Sequence, residues 1–191
     1  MYWQIYLHKT AVACEKVLIN TLKRAKQLVS EGHTLFASPA LLYFLENEVD
    51  ARIFEEDDRA LAYYVQLDDN DIWSALKVWA TSDDKILSIL STDIINRRLF
   101  KVEIHEESIQ QAQLETLREK LSAQFGISYN DTQYLFSVDT IRKDMYDVND
   151  DRISILYKDG TIKDIAEASE ILNVSLLSKK IVKYYLCYQR F

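Results

Sequence analysis

The sequence predicts a mainly α protein, a helical bundle of about five helices followed by a small α+β unit. Three observations point there. The 191 residues include only 3 glycines and 1 proline, so few positions favour left-handed turns or fixed kinks, and long continuous helices are expected. Apolar residues recur at steps of three and four up to about residue 97. Beyond it, apolar and polar residues alternate one for one in several stretches, the period of a strand. We therefore divide the chain into a helical part, 1–97, and an α+β unit, 98–191.

The first helix is expected over 2–30, with Ala11, Cys14, Leu18, Leu22, Ala25 and Val29 as its apolar stripe and Gly32 as its stop. Ser38-Pro39 starts a second helix, with Ser38 as N-cap and Pro39 at the first helical position, running to about Asn47. A third, about 52–65, begins in Glu55-Glu56-Asp57-Asp58. Asp68-Asp69-Asn70-Asp71 caps a fourth, carrying Ile72, Ala75, Leu76 and Trp79. Ser82-Asp83-Asp84 caps a fifth, carrying Ile86, Leu87, Leu90 and Ile94. In the second part Phe100, Val102 and Ile104 alternate as a strand. Leu114, Leu117, Leu121 and Phe125 form a helix ending at Gly126, and Tyr134, Phe136 and Val138 form a second strand. Asp159-Gly160 signals a hairpin turn, a short helix is expected near 164–172, and 181–188 reads as a last strand. A β-α-β-β-α-β order would accommodate these elements.

Composition narrows the function. Hydrophobic residues make up 48%, charged residues 28%, and the net charge is -7, which disfavours nucleic-acid binding through the whole surface but not a local anion site. No apolar run approaches the ~20 residues that span a bilayer, and no membrane partner is expected. Two cysteines, Cys14 and Cys187, stand far apart in no metal-like spacing, which with the missing signal peptide suggests a cytoplasmic protein. The aromatic opening Met1-Tyr2-Trp3 is what a chain starting partway into a fold would show; Met1 need not be the true start.

The residues of a catalytic centre are not evident. His8, His33 and His105 are scattered, and there is no His-Asp pair, H-E-x-x-H, G-x-S-x-G or glycine-rich phosphate loop. His8, beside the apolar stripe of the first helix, reads as a packed or hydrogen-bonded core residue, and His33 as solvated. The acidic runs at 55–58, 68–71 and 149–151 read as helix starts or solvated loops rather than cation sites. Two basic features remain. Lys9, Lys16 and Lys23 repeat every seven residues along the first helix. Arg97-Arg98-Leu99-Phe100-Lys101 sits at the change from helix to strand, where strand alternation would send Arg97 and Lys101 to one side and let them hold a phosphate.

Tyr6-x-His8-Lys9, Asp71-Ile72-Trp73 and Arg97-Arg98-Leu99-Phe100-Lys101, in this order, resemble the C-terminal half of HD-domain deoxynucleoside triphosphate triphosphohydrolases. The match in order and spacing is closest from Asp68 to Glu106. It is good over 1–106 and weaker over 107–191. The resemblance implies an enzyme family that cleaves triphosphate from dNTPs at a divalent-metal site of His, a His-Asp pair and Asp, all upstream of Tyr-x-His-Lys. No catalytic or metal-ligating residue is therefore assigned in this chain, and its cofactor is none, the divalent metal belonging to the full-length enzyme. By position Tyr6 resembles a tyrosine that contacts the substrate sugar. His8 and Lys9 resemble residues that contact an activating nucleotide at a subunit interface, and Arg97 and Lys101 resemble cations on its phosphates. Leu7 departs from the polar residue expected near the base. The implied partners are a nucleotide (a dNTP or GTP), the catalytic HD domain of the same protein and further copies of the chain.

The resulting expectation is the regulatory and oligomerisation portion of such an enzyme, inactive alone. The alternative is a non-catalytic protein-interaction module, in which Lys9, Arg97 and Lys101 are plain surface charges. An intact enzyme of unfamiliar chemistry is a third reading.

Overall fold

The computed structural model describes residues 8–143, 154–164 and 181–191. Among the described residues six helices come first: α1 (Lys9–Ser30), α2 (Pro39–Glu46), α3 (Ala51–Glu56), α4 (Asp58–Tyr64), α5 (Asp69–Trp79) and α6 (Lys85–Ile95). Strand β1 (Lys101–His105), helix α7 (Gln111–Phe125), a 3-10 turn (Asp131–Tyr134) and strands β2 (Phe136–Lys143), β3 (Ser154–Leu156), β4 (Ile162–Asp164) and β5 (Ile181–Tyr188) follow. This is the expected mainly α fold with a small α+β part. The strands form a three-stranded sheet in the order β1-β5-β2 and a separate antiparallel β3-β4 pair.

Local chemistry sets the helix starts. Ser38 Oγ accepts the Leu41 N–H at 3.2 Å ahead of Pro39, and Asp84 accepts the Leu87 N–H at 2.8 Å. Asp68 and Asp71 cap α5 reciprocally. The expected 52–65 helix is instead two. Asp57 takes an extended conformation, accepts the Arg59 N–H at 2.9 Å and restarts the helix. A short polar side chain that can satisfy a free helical N–H competes with helix continuation.

Two compact units emerge: Met1–Glu103, Ile109–Val138 and Leu186–Phe191 form one, Ile104–Ser108 and Asp139–Tyr185 the other. In the first, α1 packs on α2 and α6, and α6 on α5. Its core includes Val17, Leu76, Trp79, Leu87, Leu90, Phe100, Leu121 and Leu135, each side chain worth roughly 1.5–3 kcal/mol on burial. The Trp79 indole N–H finds the Phe36 carbonyl at 2.9 Å, so the largest core residue is also satisfied.

The buried face of α1 differs from the expected stripe. Ala11 and Cys14 are exposed, while Val12, Ala13, Val17, Asn20, Thr21, Arg24, Ala25 and Leu28 are buried. The displacement has a polar cause. Asn20 donates to the carbonyls of Tyr134 (2.9 Å) and Phe136 (3.1 Å). Arg24 makes a bidentate pair with Asp84, at 2.6 and 3.1 Å, and lies 3.5 Å from Asp131. Satisfied polar groups thus occupy positions that apolar patterning assigns to solvent.

In the second unit Leu156 pairs with Ile162 and Ile155 with Lys163. Asp159 and Gly160, at φ 84°, make the turn, as expected. The helix expected at 164–172 lies outside the described residues beyond 164. Tyr134 belongs to the 3-10 turn rather than to a strand.

Candidate anion-binding cavity

The cavity in the first unit is built around the C-terminal end of α6. The Arg98 N–H donates to the Asp93 carbonyl (2.8 Å) and the Arg97 N–H to that of Ile94 (3.1 Å), the paired bonds of a Schellman turn. Such a turn needs a left-handed residue between the last helical residue and the next strand. Here that residue is Arg97, at φ 56°, the one non-glycine with positive φ among the described residues. Helix α1 makes the same turn, with His33 N–H to Leu28 O (2.9 Å) and Gly32 N–H to Val29 O (3.0 Å), on a glycine at φ 90°. Helix α7 ends on Gly126 at φ 56°. An L-residue in this conformation costs about 1 kcal/mol or more, so the chain accepts strain at Arg97 that it avoids at its other two such ends.

Arg97 lines a cavity of about 920 Å³ together with Lys9, Asp93, Arg98, Lys101 and Gln189. With Arg190, five cations and one carboxylate line it, in a chain of net charge -7. The local potential therefore opposes the global one. Strand alternation does not deliver this grouping, because Arg97 lies in the turn before β1 rather than in the strand.

The cations are not equivalent. Lys101 is 2.8 Å from Glu103 and 5.4 Å from the Tyr188 ring centre. Its hydrogen bond to Glu103, with Tyr188 beside it, raises its pKa. Tyr188 also donates to Glu103 at 2.8 Å. Arg190 donates to the Leu99 carbonyl at 3.1 Å. Arg98 pairs with Asp93 at 3.2 Å. Asp93 is buried and also accepts from the Gln189 amide. Burial pushes the Asp93 carboxyl above its ordinary pKa, although Gln189 and Arg98 pull the other way. The Gln189 backbone N–H is held by the Leu135 carbonyl at 2.8 Å.

The sequence candidates distribute as follows. Lys9, Arg97 and Lys101 meet at this cavity. His8 is exposed and its Nδ1 caps α1 by accepting the Thr10 N–H at 3.2 Å; it is not a packed residue, because it precedes the helix instead of lying within it. Tyr6 is outside the described residues. Asp93 and Gln189 were not singled out from the sequence, and Arg98 was named only as a member of the Arg97–Lys101 cluster. One signal existed for Asp93, which follows Ile86 and Leu90 at helical spacing and so places an acid on a buried stripe. No local signal links Gln189 to it across 96 residues.

Among the described residues, no group of three or more His, Cys, Asp or Glu is placed to hold a metal ion, so none fits the divalent ion of the resembled enzymes. No described helix is long and apolar enough to cross a membrane.

No family model matches the chain. A solved structure of a phosphohydrolase from Bacteroides thetaiotaomicron is 56% identical to it, with a TM-score of 0.92, over 100% of this chain and 47% of that one. The uncharacterized protein YwfO of Bacillus subtilis is 30% identical over 100% of this chain and 42% of its own length. The chain is thus related to a phosphohydrolase and spans less than half the length of either relative.

Proposed function

We propose that this chain is the C-terminal regulatory and oligomerisation portion of an HD-family deoxynucleoside triphosphate triphosphohydrolase, and that the cavity holds nucleotide phosphates on Arg97 and Lys101, with Lys9 beside them. The observation that carries the reading is Arg97. It is a strained left-handed arginine on a cation-lined cavity, where glycine would serve the turn better. Strain of this kind persists where the residue is needed for something other than folding. A guanidinium presents a fork that suits phosphate oxygens. Lys101 would exchange Glu103 for phosphate, and an exposed ion pair is weak enough to yield. In this reading catalysis belongs to the HD domain of the same protein, with its divalent metal. Nucleotide binding across copies then favours the assembled state by linkage.

Thermal shift with GTP, dGTP or dATP plus magnesium tests this. Stabilisation in the wild type that is lost in both Arg97→Ala/Lys101→Ala and Arg97→Gly supports it. The glycine variant separates lost binding from lost folding, because glycine suits the turn.

One observation favours the interaction-module reading. Phe36, Leu61, Tyr64, Val65, Trp73 and Val78 are large, apolar and exposed, surface that a partner could cover. If no nucleotide shifts the wild type, this account replaces the first. Light scattering across a concentration series reports whether the chain self-associates.

A further inference from the structure

We propose that Gln189 is the specificity-determining residue of this cavity, its Oε1 accepting a hydrogen bond from the nucleoside part of the bound ligand. The inference rests on reading the cavity as a phosphate site and adds what else the ligand must carry.

Gln189 lines the cavity and is 7% exposed. Its amide nitrogen donates to Asp93 Oδ2. A carboxylate can only accept, so the amide is held with nitrogen toward Asp93 and oxygen away from it. Arg98, 3.2 Å from Asp93 Oδ1, helps hold that carboxyl group in place. Among the described residues the Oε1 atom is buried without a hydrogen-bond partner, an unusual state for a buried polar atom in a folded chain. Because this acceptor is already desolvated, a ligand donor that displaces the groups covering it costs Oε1 no further hydration and gains the bond.

The cations and the acceptor ask for different chemistry. Arg97 and Lys101 suit an anion that offers only acceptors, whereas Oε1 requires an N–H or O–H. Ionised phosphate cannot supply it. The ligand that completes the cavity therefore joins phosphate to a donor-bearing group, as a nucleotide does through its base or its sugar hydroxyls. Inorganic polyphosphate would engage the cations and leave Oε1 unpaired.

The test is calorimetric titration of the 191-residue chain with GTP and with inorganic tripolyphosphate, in the wild type, Gln189→Met and Asp93→Asn. Methionine keeps the volume of glutamine and removes the acceptor. Asparagine at 93 can donate to Oε1 once the Gln189 amide turns over, and so occupy it. Both variants are expected to lower GTP affinity relative to tripolyphosphate affinity by about tenfold, the worth of one hydrogen bond to a buried acceptor; Asp93→Asn, which removes the cavity's carboxylate, raises the affinity for tripolyphosphate itself. Tripolyphosphate binding in both variants also shows that the variant cavity is folded. An unchanged ratio of the two affinities in both variants overturns the role of Gln189. If tripolyphosphate and GTP both fail to bind the wild type, the phosphate reading fails first and takes this inference with it. Within a positive result, 2′,3′-dideoxyguanosine triphosphate separates the donors. It keeps the Gln189 effect if the base donates and loses it if the sugar does.

Discussion

The two ends of α6 obey opposite rules. At its N-terminus Asp84 caps the helix, accepts the Leu87 amide and receives a bidentate guanidinium from Arg24. A negative group there suits the helix dipole. Burial works against its charge, but Arg24 and the helix amides together hold its carboxyl below the ordinary range. At the C-terminus Asp93 places a buried carboxylate where the dipole disfavours one, and burial pushes its pKa up. One turn later, Arg97 stands where glycine is preferred. The N-terminal end is consistent at every level and reads as structure. The C-terminal end departs from local preference at Asp93 and Arg97, and leaves Gln189 Oε1 without a donor among the described residues. Departures that cluster on one cavity mark where a sequence is selected for something besides stability.

The largest effect should come from breaking the consistent end. Arg24→Met removes the charge of a residue that is 9% exposed and strands Asp84. We expect a loss of about 3 kcal/mol in urea unfolding, as for other broken buried pairs. Tripolyphosphate affinity of the folded protein should stay the same, since Arg24 does not line the cavity. A loss well under 1 kcal/mol would mean that the Arg24 junction is not what fixes α1 on α6.

A smaller effect, of opposite sign, should come from the helix ends. Arg97→Gly is expected to stabilise the protein by about 1 kcal/mol by relieving the left-handed turn. Gly32→Ala, at the equivalent position of α1, should destabilise it by a similar amount. A Cβ at Gly32 meets nothing within 4 Å, so only backbone strain enters that comparison. If Arg97→Gly is instead destabilising, the arginine side chain supports the fold and the strain argument for its function falls.

How far each end could be read from sequence follows from the same physics. Asp84 as a cap, Ser38-Pro39 as a helix start and Asp159-Gly160 as a turn are local signals, carried by residues within three positions of the groups they satisfy. The grouping of Arg97 with Lys101 was also legible, though for another reason than strand alternation, since a Schellman turn places Arg97. Arg24 was not legible. Its partner lies 60 residues away, and an arginine between apolar positions of a helix reads as solvated until the partner is known. The Asp93–Gln189 pair is less legible still, because it joins α6 to the residues after β5 and neither residue type advertises the other.

The smallest expected effect is the pH dependence of the two aspartates, and its sign tells the ends of α6 apart. The folded pKa of Asp84 is lowered. The stability it contributes is present above the unfolded value, about 3.9, and is lost as pH falls through the folded value. The folded pKa of Asp93 is raised. Its favourable contribution is complete below the unfolded value and disappears as pH rises through the folded one. Asp93→Asn should therefore gain on the wild type as pH rises from 4 to 7, reaching an advantage of about 0.5 kcal/mol at neutrality, the scale of an unfavourable helix-end charge. Asp84→Asn should lose ground on the wild type as pH rises through the folded value toward about 4 and keep a nearly constant deficit above it. Urea midpoints measured at half-unit pH steps on the three proteins would show two difference curves of opposite slope. Parallel curves would mean that the two carboxylates share one kind of environment, and that the C-terminal end of α6 is no less consistent than its beginning.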